Sequence, residues 1–82
     1  MIIKYFAWLK NITNLEEEIV NDISVVDVNT LKTFLQQKHP KLKKYMDEDH
    51  VIRVAVNLEY TTTNLSLNSN DEIALFPPVS GG

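Results

Sequence analysis

Residues 27–38, DVNTLKTFLQQK, carry the strongest secondary-structure signal in the chain. Their apolar side chains recur at helical spacing and predict one stripe on an amphipathic helix, formed by Val28, Leu31, Phe34 and Leu35. Asp27 is a good N-cap because its carboxylate can accept hydrogen bonds from the free N–H groups of the first turn. Pro40 disfavours helical geometry at the residue before it, so we expect the helix to end near Lys38.

Extended segments are predicted on both sides of this helix. Their patterns favour strands at residues 2–9, 17–23, 51–58 and 72–76, a short edge strand at 59–62, and a short helical turn at 41–46. One helix on one face of a mixed sheet is an α+β roll. In such a roll we expect the first and last strands to pair in parallel at the centre of the sheet.

Length and composition fit a single domain over residues 1–82. The net charge of −3 gives no general drive toward nucleic acid or an anionic membrane, and we expect neither as a partner. No cysteine is present, so any sulfur chemistry must use sulfur brought from elsewhere. No apolar run approaches the roughly 20 residues of a membrane span, and no basic leader precedes the apolar start, so we expect a cytoplasmic protein.

The segment with the clearest functional signal is the tail, residues 77–82, PPVSGG. Pro77 and Pro78 fix φ near about −65° and lack a backbone donor, so they end the last strand and hold the next residues extended. Gly81 and Gly82 are the only glycines of the chain, and without a Cβ they fit a channel too narrow for other residues. Six extended residues span at most roughly 20 Å, so we expect a projecting tail that reaches into another protein.

Residues 71–82, DEIALFPPVSGG, resemble the C-terminal signature of the molybdopterin synthase small subunits, a family of ubiquitin-like sulfur carriers. That signature is an acidic turn, a short apolar strand ending in Phe, and Pro-Pro-Val-Ser/Thr-Gly-Gly. Looser similarity covers Phe6-Ala7, the helix after Asp27, and Val56-Asn57. The polar residues 11–18 lack the family's usual glycine, which leaves the first hairpin geometry open. The resemblance implies a ubiquitin-like β-grasp roll.

The resemblance also implies a chemistry for Gly82. A partner adenylyltransferase of the ubiquitin-activating type uses ATP to convert its carboxylate into an acyl-adenylate, and a sulfur donor protein turns this into a thiocarboxylate. The tail then enters the large subunit of the synthase and gives sulfur to precursor Z. The implied insertion residues are Pro77, Pro78, Val79, Ser80 and Gly81. Such a subunit donates sulfur, is not catalytic alone and binds no cofactor itself.

The sheet face turned away from the helix is a candidate docking surface. If Ile3, Tyr5 and Ala7 face the helix, aromatic side chains remain on the other face, where large apolar patches usually mark partner sites. The family's docking surface falls on positions that match Phe6, Tyr60 and Phe76. The predicted partner-binding residues are Phe6, Trp8, Tyr60 and Phe76. The alternative is that a loop covers them, or that Trp8 only caps the edge of the core.

Other candidate sites are weaker. His39 and His50 are predicted to be isolated surface histidines, and we expect no metal site. The basic residues 38–44 are predicted to be a solvated face. No Gly-rich phosphate loop is present, so we expect ATP to bind the partner enzyme and not this chain.

Three further functions stay open from the sequence. The chain could carry sulfur for thiamin synthesis or tRNA thiolation. It could be a protein modifier that is joined to lysines through its C-terminus. It could also be a plain interaction module whose Gly-Gly end is incidental.

Overall fold

The computed structural model describes residues 1–47 and 52–78. Its elements are β1 (Ile2–Tyr5), α1 (Leu9–Thr13), β2 (Glu17–Ile19), α2 (Val28–Lys38), a 3-10 helix (Pro40–Leu42), α3 (Lys43–Asp47), β3 (Arg53–Val56), β4 (Glu59–Thr61) and β5 (Glu72–Phe76). The strands form one mixed sheet in the order β2-β1-β5-β3-β4. β1 and β5 pair in parallel, which confirms the predicted pairing of the first and last strands and the α+β roll.

Helix α2 begins and ends where the sequence predicts. The Asp27 carboxylate accepts from the Thr30 backbone N–H at 2.8 Å, and the Thr30 hydroxyl oxygen accepts from the Asp27 N–H at 3.0 Å. The hydrogen bonds from Thr30 hold the pKa of the Asp27 carboxyl below its usual range. Asn64 adds a cap that the sequence did not reveal, because its side-chain oxygen accepts from the Asn29 N–H at 2.8 Å.

The core lies between α2 and the inner face of the sheet. Strand alternation turns Ile3 and Tyr5 toward the helix, as predicted. The largest fully buried side chains are those of Ile3, Tyr5, Leu9, Leu31, Leu35, Leu42, Ile73 and Leu75. Each such aliphatic side chain contributes about 1.5–3 kcal/mol by leaving water. The central strand β5 supplies two of them, so its position is fixed by the core.

The first strand is shorter than predicted because the chain turns at Ala7. Ala7 has a φ of 55° and an exposed side chain, so the prediction that it faces the helix was wrong. Leu9–Thr13 form α1, where the sequence predicted strand and loop. α1 buries Leu9 completely, and it ends at Asn14 in a left-handed conformation that Asn tolerates. Burial of Leu9 against the core therefore outweighs the local β-propensity.

Two other predicted strands are also too long. β2 ends at Ile19, and Ile23, which was predicted to lie in the strand, is 98% exposed in a loop. β3 ends at Val56 because Asn57 and Leu58 take positive φ values of 51° and 71° and turn the chain into β4, and the turn that the sequence predicts at residues 57–59 is thereby confirmed. The predicted edge strand, the last strand and the short helical segment after α2 are confirmed as β4, β5 and α3 with its preceding 3-10 helix.

Candidate docking site at the root of the tail

The outer face of the sheet, turned away from α2, carries three of the predicted aromatic residues. The Phe6 N–H donates to the Leu75 carbonyl at 3.0 Å, so the chain stays in register with β5 one residue beyond β1. Strand alternation then places Phe6 on the outer face, where it is 46% exposed. Phe76 lies opposite Arg53 of β3 on the same face and is half-buried.

Tyr60 completes this group, which we call the aromatic face (Phe6, Tyr60 and Phe76). It lies opposite Ala55 of β3 and is 54% exposed. Its ring centroid is 6.3 Å from that of Phe76 with the planes at 51°, within the range of favourable aromatic pairs. Arg53 Nη1 donates to the Tyr60 hydroxyl at 3.3 Å, which orients the ring.

A row of short side chains crosses the middle of the outer face. Ala74 of β5 lies between Lys4 of β1 and Ala55 of β3, and Ala55 lies beside Tyr60 of β4. Because alanine ends at its Cβ, this row is lower than the side chains at its two ends. Ala55 is only 9% exposed because neighbouring side chains cover it, so the apolar surface available to a partner is mainly that of the Phe6 and Tyr60 rings.

Trp8 does not belong to the aromatic face, so its predicted place on the strand was wrong. It lies in the turn before α1, where the chain has left the sheet. Its ring centroid is 4.9 Å from that of Tyr45 in α3, with the planes at 56°. Trp8 therefore packs the turn against α3, as the alternative of a core-edge cap anticipated. A contact between its remaining exposed surface and a partner stays a prediction.

The root of the tail lies next to the aromatic face. Pro77 and Pro78 directly follow Phe76, at the end of the central strand, and both are half-buried. Because β1 and β5 run parallel, Phe6 lies at the same end of the sheet. The other predicted tail residues, Val79, Ser80, Gly81 and Gly82, lie outside the described residues.

A buried carboxylate lies on the opposite, inner side of the sheet. The Glu18 side chain is only 6% exposed, and three groups bind it. Its Oε2 accepts from the Tyr5 hydroxyl at 2.5 Å and lies 2.7 Å from His39 Nε2, while its Oε1 lies 2.6 Å from Lys38 Nζ. This cluster joins β1 and β2 to the end of α2. His39 was predicted to be an isolated surface residue, and that was wrong.

The environment of Glu18 shifts two pKa values. Burial opposes ionisation of the carboxyl, but hydrogen bonds from Lys38, Tyr5 and His39 outweigh it and hold the Glu18 pKa below its usual range. Burial, and then the hydrogen bond to the Glu18 carboxylate, raise the pKa of the Tyr5 hydroxyl. At neutral pH, Glu18 is therefore an ionised acceptor and Tyr5 a neutral donor. Sequence could have hinted at this only through the alternation that turns Glu18 inward between two outward residues of β2.

Within residues 1–47 and 52–78, no three His, Cys, Asp or Glu side chains come together as a set of metal ligands. The helices of this part of the chain are all too short or too polar to cross a membrane. His50, the second predicted surface histidine, lies outside the described residues.

Known proteins are similar in sequence to this chain over nearly its whole length. The sequence profile of the ThiS family matches residues 3–82. The chain belongs to the ThiS family. This ThiS-family chain is 33% identical over 81 residues to the molybdopterin synthase sulfur carrier subunit of Dictyostelium discoideum, with 94% of this chain and 90% of that protein covered.

Solved structures extend the similarity of this ThiS-family chain to the fold. SAMP1, the small archaeal modifier protein 1 of Haloferax volcanii, superimposes with a TM-score of 0.84 at 30% identity, covering 99% of this chain and 97% of that one. A chain in the complex of subunits 1 and 2 of the molybdopterin-converting factor from Helicobacter pylori gives a TM-score of 0.71 at 28% identity, covering 99% and 96%. The resemblance to the ubiquitin-like sulfur carriers and the β-grasp fold that it implied are confirmed.

Proposed function

We propose that this protein is the sulfur-carrier subunit of a molybdopterin synthase, and that the Gly82 carboxylate is its working group. The proposal rests on the position of Pro77 and Pro78, from which the tail starts. The Pro77-Pro78 pair leaves the central strand next to an exposed aromatic face, so one partner can bind the face and receive the tail. The Dictyostelium relative and the family membership support the pathway.

The proposed chemistry begins with activation of Gly82. A carboxylate is a poor electrophile because its leaving group would be an oxide. A partner adenylyltransferase transfers AMP from ATP to the carboxylate, releases pyrophosphate and forms an acyl-adenylate. The terminal sulfur of a persulfide on a sulfur donor protein then attacks the carbonyl carbon, and AMP leaves. A thiol cleaves the sulfur–sulfur bond of the resulting acyl disulfide, which gives the thiocarboxylate and leaves the donor sulfur in a disulfide. The thiocarboxylate sulfur displaces an oxygen leaving group on precursor Z to form a thioester, and water hydrolyses this thioester, which restores the carboxylate of Gly82. This chain supplies the reagent and its positioning, and ATP binds the partner enzyme.

The proposed docking partner is the large synthase subunit. The aromatic face offers two rings that are about half exposed beside a floor of alanines, which fits a flat apolar contact with a polar rim. Gly82 is four positions beyond Pro78, and an extended chain of that length spans at most roughly 14 Å. An interface centred on Phe76 therefore leaves the reacting carbonyl well inside the partner. The Helicobacter complex of subunits 1 and 2 supports such a partner.

The test is reconstitution with purified components. The chain is incubated with the cognate adenylyltransferase, ATP and a sulfur donor, and its intact mass is measured. We expect the intact mass to rise by the difference between one sulfur and one oxygen atom. We then expect product to form when the large subunit and precursor Z are added. A thiocarboxylate that serves only a thiamin or tRNA substrate would overturn the assignment to molybdopterin. No mass gain at all would overturn the sulfur-carrier role.

A second candidate function is protein modification, which the similarity to SAMP1 favours. The same activated Gly82 would then react with a lysine amine and form an isopeptide bond, releasing AMP. The two functions are separated by the products in cell extract. Proteins with the C-terminus of this chain joined to a lysine, detected by an antibody to the chain and by intact mass, indicate a modifier, and their absence with thiocarboxylate present indicates a carrier.

A further inference from the structure

The β3–β4 hairpin ends in a leucine held in an unfavourable backbone conformation. Asn57 and Leu58 form its two-residue turn, with φ values of 51° and 71°. Turns with two positive φ values favour Asn at the first position and Gly at the second. Asn57 fits this preference, whereas the Cβ of Leu58 makes the left-handed conformation costly.

Hydrophobic burial of the Leu58 side chain does not offset this backbone cost. Leu58 is 87% exposed, so its side chain adds almost no hydrophobic stabilisation to the folded chain. The position therefore combines backbone strain with an apolar side chain in water. Residues held in sparsely populated backbone regions cluster at functional sites, so the tip is a candidate for a contact that folding alone does not explain.

Asn57 fixes the tip to the body of the protein. Its side-chain nitrogen donates to Asp71 Oδ1 at 2.9 Å, and its side-chain oxygen accepts from the Glu72 N–H at 2.9 Å. Its backbone N–H donates to the Glu72 carbonyl at 2.8 Å. These bonds join the turn to the start of the central strand. Leu58 is thus presented on a rigid support, which lowers the ordering cost of binding.

The residues next to the hairpin tip are acidic. Residues 54–76 contain no Lys or Arg, and their three acidic residues are all at or beside the turn. Glu59 follows Leu58 directly, and Asp71 and Glu72 hold Asn57. Among the described residues, Glu72 is paired with Lys4 at 3.4 Å, and the positively charged N-terminus is close enough to Asp71 to favour its ionised form. Glu59, next to Leu58, is therefore the acidic residue most available to a basic group at the rim of a partner's apolar socket.

A partner on the aromatic face can reach the tip. Leu58 precedes Tyr60 by two residues, a separation of at most roughly 7 Å along an extended chain. A standard interface covers about 800 Å² of each partner, equivalent to a disc of roughly 16 Å radius. The Tyr60 ring lies 6.3 Å from the Phe76 ring, so a footprint centred on Phe76 covers Tyr60 and extends to Leu58.

We propose that Leu58 is a further anchor for the large synthase subunit and inserts into an apolar socket rimmed by Lys or Arg side chains. This inference rests on the proposed function, because that function supplies the partner. It adds a contact on the hairpin tip, at the opposite end of β3 from the tail root.

The test compares Leu58→Asn with a matched control by calorimetric titration of the large subunit. Asn tolerates positive φ, so the melting temperature of Leu58→Asn should be unchanged or higher. Its Kd should rise about tenfold. Ile23→Asn, at another largely exposed aliphatic residue, which has no positive φ, should stay within about twofold. Glu59→Gln should weaken binding a few-fold at low salt and less at high salt, as expected for a charge facing a basic rim.

The possible results distinguish the Leu58 anchor from the aromatic face and from the choice of partner. Loss of affinity in Leu58→Asn with a retained melting temperature supports the anchor, and Leu58→Gly serves as a second variant if the Asn variant fails to fold. Unchanged affinity in Leu58→Asn while Phe76→Asp binds weakly overturns the anchor and leaves the aromatic face intact. Weakened binding to the adenylyltransferase alone overturns the assignment to the large subunit. No binding by the wild-type chain overturns the proposed partner itself.

Discussion

Replacing Glu18 by Leu removes the acceptor at the centre of the buried cluster. Tyr5, which is 2% exposed, would then keep its donor in the interior without a partner, and the half-buried His39, with a side chain 14% exposed, would lose its partner too. Each buried donor left unpaired costs about 1–3 kcal/mol. Lys38 is about half exposed and can turn to solvent, so it adds little. The expected loss is therefore about 3 kcal/mol of the free energy of unfolding.

That loss is large for a domain of this length. Small domains are stable by about 5–15 kcal/mol, and 1 kcal/mol shifts the melting temperature of such a chain by about 4–8 °C. Chemical denaturation and thermal melting of Glu18→Leu should show a drop of roughly 10–25 °C. Glu17→Leu is the matched control, because Glu17 is the exposed neighbour in β2 and its loss should stay within about 0.5 kcal/mol. Adding Tyr5→Phe to Glu18→Leu should recover part of the loss, because it removes one unpaired donor.

The charge of Glu18 can be tested separately through pH. Its pKa is lowered in the folded state, so its ionisation stabilises the fold above the unfolded pKa near 4.5, and this contribution is lost as pH falls through the folded value. The stability difference between wild type and Glu18→Gln should be greatest at neutral pH and shrink below about pH 4.5. If Glu18→Leu and Glu17→Leu are equally stable, the cluster does not hold β2 to the helix as described.

Three further expectations follow from the site and the cap. Phe76→Asp should raise the Kd for the large subunit roughly 30-fold, the effect of losing an anchor of about 2 kcal/mol, while the far-ultraviolet circular dichroism stays native; an unfolded variant would mean that Phe76 belongs to the core. Deletion of Gly82 retracts the carboxylate by roughly 3.5 Å, and addition of one residue replaces it, so both should abolish sulfur transfer in the synthase assay while a pull-down still recovers the large subunit; near-normal turnover by either would refute Gly82 as the carrier. Asp27→Ala should cost about 1 kcal/mol in urea denaturation with normal sulfur transfer, and a neutral result would mean that Asn64 alone caps α2.

The elements that the sequence predicts correctly are those with local causes. Helix α2 has its cap residue, its apolar period and its stop signal within a few residues of each other. β5 has correct bounds because a polar turn precedes it and Pro77 follows it. The outward direction of Phe6 and Phe76 follows from the alternation of paired strands, which needs only the strand register.

The features that the sequence does not predict have causes distant along the chain. α1 forms because Leu9 fits into the core, and the turn before it depends on Ala7 in a left-handed conformation that no local rule favours. Glu18 meets His39 across 21 residues, so neither position shows its partner in the sequence. Trp8 was placed on the wrong surface for the same reason. The sequence pattern extends the first strand through Trp8, but in the structure Trp8 packs against Tyr45, outside the sheet.

The tail root and the docking face are held by the same strand, and this has a mechanical consequence. Ile73 and Leu75 of β5 are fully buried, while Ala74 and Phe76 of the same strand lie on the outer face. β5 also lies at the centre of the sheet, with hydrogen-bonded neighbours on both sides. A partner that binds the outer face therefore binds the most firmly anchored segment of the protein, and Pro77 begins where that segment ends. Because a misplacement on the order of 1 Å can cost about 100-fold in rate, a tail that started from an edge strand or a surface loop would position its end less accurately. In the function proposed above, the central strand fixes the point from which the tail starts, and its Phe76 ring on the outer face lies beside the exposed ring of Tyr60, which is available for binding.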